Sequence, residues 1–177
     1  MRRIRADGKS HLSNEVDIRT GYLFIHSLLS FSFETSGNII MSRSDIEFKT
    51  IDNVTIRGWM FKPTDAEGKY PCLIISHGLT CLKEMSLDTL AERLTSVLPI
   101  ACLVYDHRGY GSSDQKDNEP RNEIVPAYQN SDLQDAITYA QSREDIDATK
   151  IGLWGYSYSG GHTFPDVAST KSVLRHC

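Results

Sequence analysis

The chain has 177 residues, a formal net charge of −4, and is 40% hydrophobic and 24% charged. That is enough for one globular domain with its own core. It excludes the basic surface that nucleic-acid binding requires, because Lys and Arg are scattered and outnumbered by acids.

In chain order, the first apolar run is "YLFIHSLLSFSF" at 22–33, preceded by Arg2, Arg3 and Arg5. Glu15 and Asp17 intervene and the run is too short to span a bilayer, so no membrane association is expected. Residues 1–43 read as an N-terminal extension, poorly ordered or loosely packed, and 44–177 as the domain. "IEFKTI" (46–51) and "VTIRGWMF" (54–61) each alternate apolar and polar residues around Asp52-Asn53. This predicts an antiparallel hairpin with a two-residue turn. "CLIIS" (72–76) is a continuous apolar run, as expected of a strand covered on both faces. Leu87, Leu90, Leu94 and Val97 recur at helical spacing over 83–98, and Pro99 ends that helix. "IACLVY" (100–105) is a second buried strand, followed by a Gly-, Ser- and Asp-rich loop over 106–120. Ser131 with Gln134 three residues on resembles a capping box opening a helix over 131–142, with Leu133, Ala136, Ile137 and Ala140 facing the core. "IGLWGY" (151–156) is a third buried strand.

This succession predicts an α/β fold: a mostly parallel sheet with an N-terminal antiparallel hairpin. Functional groups in such sheets lie at the carboxyl ends of the strands, where the segments 76–81, 106–114 and 157–161 fall. Cys72 and Cys102 sit inside apolar runs, and none of the four cysteines forms a C-x-x-C pair. That pattern points to buried thiols in a reducing, cytoplasmic setting and away from a zinc site or disulfide framework. The histidines show no ligand spacing with carboxylates, and "RGYGSSD" (108–114) lacks both the dinucleotide and P-loop patterns, so neither metal nor cofactor is expected.

The chemistry concentrates in Gly155-Tyr156-Ser157-Tyr158-Ser159-Gly160-Gly161. A nucleophile placed between a strand and a helix sits on a strained turn, which requires small residues two positions to either side. Gly155 and Ser159 meet that requirement. The turn exposes the hydroxyl of Ser157 and aims a helix N-terminus at the reacting centre. One oxyanion donor would be the Tyr158 amide. The other would come from "SHGLT" (76–80), where Gly78 lets the chain turn and the Leu79 amide points inward.

"LIISHGLTCLKEM", "LVYDHRGYGSSD" and "KIGLWGYSYSGGH" together resemble the α/β-hydrolase superfamily, in particular its dienelactone-hydrolase-like and serine-aminopeptidase-like members, over about 44–162. The resemblance implies Ser157 as nucleophile and Leu79 and Tyr158 as oxyanion donors. It also implies a small-molecule ester, thioester or amide substrate. His77 reads as a brace for its loop, and Asp106 and Arg108 as structural.

A serine needs a base, and in this family the acid and then the histidine follow the nucleophile at a distance. Here His162, Asp166 and His176 follow. His162 faces away on a continuing helix, and no strand pattern separates Asp166 from His176. The tail departs from the family pattern, so the expectation is a domain truncated after the nucleophile strand. The resulting open apolar edge at 151–156 would invite self-association. Two functions stand: a serine hydrolase whose isolated chain is inactive or very weak, or a truncated, non-catalytic hydrolase-like binding or regulatory protein.

Overall fold

The computed structural model describes residues 40–64, 68–161 and 173–174. Most of the expected N-terminal extension lies outside the described residues, as do His162, Asp166 and His176. Six strands form one sheet in the order β1-β2-β4-β3-β5-β6. They are β1 (Met41–Lys49), β2 (Thr55–Pro63), β3 (Tyr70–Ser76), β4 (Ala101–Tyr105), β5 (Ile146–Gly155) and β6 (Val173–Leu174). Helix α1 (Leu87–Val97) joins β3 to β4, and α2 (Pro126–Ser142) precedes β5.

β1 and β2 form the expected hairpin, with Met41 opposite Pro63 and Lys49 opposite Thr55. β2 joins β4 antiparallel, while β3 is parallel to both β4 and β5. The boundary expected at residue 44 therefore falls inside β1. The turn is also longer than two residues. Thr50 N–H donates to Val54 O at 2.9 Å, and Asn53 takes the left-handed φ of 69° expected of it. The Thr50 hydroxyl, which donates to Asp52 at 2.7 Å, helps close this wider loop and leaves Ile51 in solvent.

The central strands are buried on both faces, as their continuous apolar runs require. Along β4, Ala101, Leu103 and Tyr105 join the core that includes Leu133, Ala136, Ile137 and Ala140 of α2. The intervening Cys102 and Val104 face Leu87 and Ala91 of α1. Each fully buried Ile or Leu contributes roughly 1.5–3 kcal/mol by leaving water. Burial pushes the Cys102 thiol up to about 12 and the Cys72 thiol higher still, so both behave as small apolar core groups.

Three boundaries differ from expectation. α1 starts at Leu87 rather than 83, because Ser86 adopts φ 69° and Lys83 turns into the protein. α2 starts five residues before Ser131, with Pro126 at its first position, where its fixed φ suits a helix and its missing N–H costs nothing. The Ser131–Gln134 signature therefore lies within the helix. β5 begins at Ile146, paired with Tyr70 ahead of a register irregularity. On the edge of β5 expected to be open over 151–156, two residues pair with β6 among the described residues, Ile151 with Val173 and Gly152 with Leu174. Among the described residues no helix is long and apolar enough to cross a membrane.

Candidate active site

β3, β4 and β5 run parallel, so their carboxyl ends emerge on one side of the sheet. β5 ends at Gly155, and a helix begins at Tyr158. Between them Ser157 is exposed and adopts φ 53°, a left-handed conformation that costs an L-residue roughly 1–2 kcal/mol. The turn is held by Ser159 N–H donating to Tyr156 O at 3.1 Å and Gly160 N–H donating to Ser157 O at 3.0 Å. It is tied to the neighbouring strand by Tyr156 N–H donating to Ser76 O at 3.1 Å. The bend is tight enough that a Cβ on Gly155 would collide with the carbonyl group of Ser159. This is the steric reason for a glycine at 155.

The loop after β3 abuts this turn. A Cβ on Gly78 would lie 2.9 Å from Tyr156 Cδ1 and 3.5 Å from Ser157 Cβ. Leu79, the next residue, is 51% exposed, and Tyr156 is 56% exposed. Two large apolar side chains thus stand uncovered at the site. Trp154 stacks on Tyr156 with ring centroids 6.5 Å apart and packs against the α1-side core.

His77 and His107, at the ends of β3 and β4, are both buried. His107 N–H donates to His77 Nε2 at 3.0 Å, so that nitrogen is unprotonated. The proton is then on His77 Nδ1, which donates to Gly78 O at 2.9 Å. Burial lowers the pKa of His77 and keeps it neutral. His107 Nε2 lies 3.2 Å from His77 O and 2.9 Å from Ser159 Oγ. A carbonyl only accepts, so His107 carries its proton on Nε2. The Ser159 hydroxyl in turn donates to His77 O. The structure therefore makes His77 a brace for its loop. Both described histidines are bonded inward, so neither is turned towards Ser157 as a base.

The loop after β4 is anchored by charge. Asp106, wholly buried, accepts from Lys83 N–H at 2.9 Å, Lys83 Nζ at 2.6 Å and Ser112 N–H at 3.0 Å. Lys83 Nζ also lies 4.7 Å from the centre of the Trp59 ring. Arg108 donates to Asp132 through Nε at 2.8 Å and Nη2 at 2.5 Å, and to Asp52 at 2.9 and 3.0 Å. Hydrogen bonds from Arg108 hold the Asp52 carboxyl down at about 2. Asp106 thus fastens the loop to the segment before α1, and Arg108 fastens it to α2 and the hairpin turn, in keeping with a structural part for both.

No family model matches the chain. It is 38% identical over 133 residues to the polyketide transferase grgF of a Penicillium species, covering 75% of this chain and 43% of that protein. The crystal structure of the alpha/beta hydrolase GrgF superimposes with a TM-score of 0.69 at 37% identity, over 76% of this chain and 44% of that one. The chain belongs to the α/β-hydrolase superfamily. A thiohydrolase of Eupenicillium brefeldianum, also a relative, is 38% identical over 70% of this chain and 38% of its own length. DcsB, solved with a substrate analogue, is 36% identical with a TM-score of 0.67, over 75% of this chain and 43% of its own. The chain thus spans less than half the length of these superfamily members.

Of the residues singled out from sequence, Ser157 and Tyr158 share the turn, and Leu79 lies on the loop packed against it. The residues that sequence reasoning missed are Ser159, noted only for its size, and His107 and Lys83, noted for nothing. Their signal was polarity at positions next to buried strands, which periodicity alone does not distinguish from a solvent-facing loop.

Proposed function

We propose that the protein is a serine hydrolase of small-molecule esters, thioesters or amides. The Ser157 Oγ attacks the substrate carbonyl and loses its proton to a base outside the described residues. The amides of Leu79 and Tyr158 receive the oxyanion. Collapse breaks the carbon–oxygen, carbon–sulfur or carbon–nitrogen bond, the leaving group takes the proton, and water then releases the acyl group from Ser157. The observation that carries this reading is a non-glycine residue held at φ 53° between strand and helix with its side chain in solvent. Backbone strain of that kind persists only where surrounding structure enforces it, and it clusters at functional sites. The presence of a thiohydrolase and an acyltransferase among the relatives supports chemistry at an acyl group. Free thiols at Cys72, Cys81 and Cys102 support a reducing, cytoplasmic setting.

The test is labelling by a fluorophosphonate probe, with the modified peptide identified by mass spectrometry. Wild-type protein is expected to carry the adduct on Ser157, and Ser157→Ala to carry none. Equal labelling of both removes Ser157 from the mechanism. One observation favours a second reading, a non-catalytic hydrolase-like protein that binds or regulates: both described histidines are committed to internal hydrogen bonds. Ester turnover abolished by Ser157→Ala would refute it.

A further inference from the structure

Where a glycine would satisfy the steric demand of the turn, this chain places a serine. Ser159 is wholly buried. The crossing with Gly155 involves its backbone and does not account for its hydroxyl. That hydroxyl donates to the carbonyl of His77 and accepts from His107 Nε2–H at 2.9 Å. His77 lies one residue beyond the last ladder pairs of β3, Ser76 with Tyr105 and Ser76 with Gly155. Its carbonyl is therefore buried just past the reach of the sheet, and it accepts from Ser159 and His107 instead. Leu79, the expected oxyanion donor, follows two residues later.

We propose that Ser159 is a positioning residue: its hydroxyl clamps the nucleophile turn to the His77 carbonyl and the His107 ring, fixing the oxyanion loop against Ser157. This rests on Ser157 being the nucleophile. The clamp joins the carboxyl ends of three strands at one buried point. The turn that presents Ser157 and the loop that carries Leu79 come from distant segments, linked here by the bond from Ser159 to His77, 82 positions apart. Without the hydroxyl, the His77 carbonyl retains the 3.2 Å bond from His107. The loop can then drift relative to the turn. Small displacements of an oxyanion donor are expensive in rate, up to about 100-fold for 1 Å.

The test compares the rate of fluorophosphonate labelling at Ser157 in wild type, Ser159→Ala and Ser159→Thr. It is paired with NMR detection of the His107 Nε2 proton in the full chain. Expected are a labelling rate about 10- to 100-fold lower in Ser159→Ala, faster exchange of the His107 ring proton, and recovery of both in Ser159→Thr, which retains the hydroxyl. A folded Ser159→Ala that labels within about twofold of wild type overturns the positioning role while leaving Ser157 as nucleophile. Absence of labelling at Ser157 in the wild type overturns the nucleophile reading and the positioning role with it. If Ser159→Ala does not fold, Ser159→Cys, which fills the same space but offers only a weak S–H donor to the His77 carbonyl, is judged by the same rate criterion.

Discussion

The left-handed backbone of Ser157 can be tested by replacing it with glycine and, separately, with alanine. Both substitutions remove the hydroxyl, which is exposed, so their difference isolates the backbone. At φ 53°, alanine retains the penalty of roughly 1–2 kcal/mol for an L-residue in this region, and glycine sheds it. Glycine gives back about 0.4–1 kcal/mol through the greater freedom of its unfolded chain. The net expectation is that Ser157→Gly is more stable than Ser157→Ala by about 0.5–1 kcal/mol, or about 2–3 °C in melting temperature for a chain of this size. Circular dichroism melts and urea midpoints measure it, with fluorophosphonate labelling abolished in both variants. Equal stability, or alanine above glycine, would mean that the turn relaxes without cost. The argument that strain at Ser157 marks a functional residue would then fail.

Gly155→Ala should cost about 1–3 kcal/mol and suppress labelling of Ser157, since the turn must shift to admit a methyl group beside Ser159; unaltered labelling would argue against the close crossing. Asp132→Ala strips the buried Arg108 of one of its two carboxylate partners. It should lower stability by about 3–5 kcal/mol in urea unfolding, whereas Asp132→Leu combined with Arg108→Met should cost less. Stability should also depend on pH. His77 has its pKa lowered below 6.5 in the folded state, so the unfolded chain binds the proton first and stability is lost as pH falls below about 6.5. Asp52 shifts from 3.8 to about 2, so its contribution is present above about pH 4 and lost as pH falls towards 2. Urea midpoints measured from about pH 8 downwards test both, and His77→Gln should flatten the upper limb of the curve.

The sheet was legible wherever apolar runs were continuous. β4 and the end of β3 are buried on both faces because their sequences contain no polar alternation to place in water, while the apolar half of β5 buries Ile151 and Leu153 and leaves Gly152 and Trp154 half-buried. The nucleophile turn was legible because its requirement is steric and local, and Gly155 and Ser159 meet it visibly. The helix starts were not legible. The Ser131–Gln134 spacing is a local signature, but Pro126 and the burial of Gln129 carry α2 back another turn and more. The first half of β5 was hidden by the polar segment "DATK" (147–150), which lies within the register break between the Tyr70–Ile146 and Cys72–Ile151 pairs. The polar lock was the least visible part. Lys83 falls at the start of the helix expected over 83–98, yet its ammonium is drawn inward by a carboxylate 23 positions away. Long-range pairing of that kind leaves no periodic trace.

The two histidines at the strand ends also bear on how an activity profile should be interpreted. Each is shut away from solvent, and His77 is held uncharged by its surroundings. Near neutrality His77 is therefore already uncharged, so an inflection in a measured rate there would not come from its imidazole. The pH at which turnover rises would thus serve as a probe for the proton acceptor of Ser157, without interference from this ring.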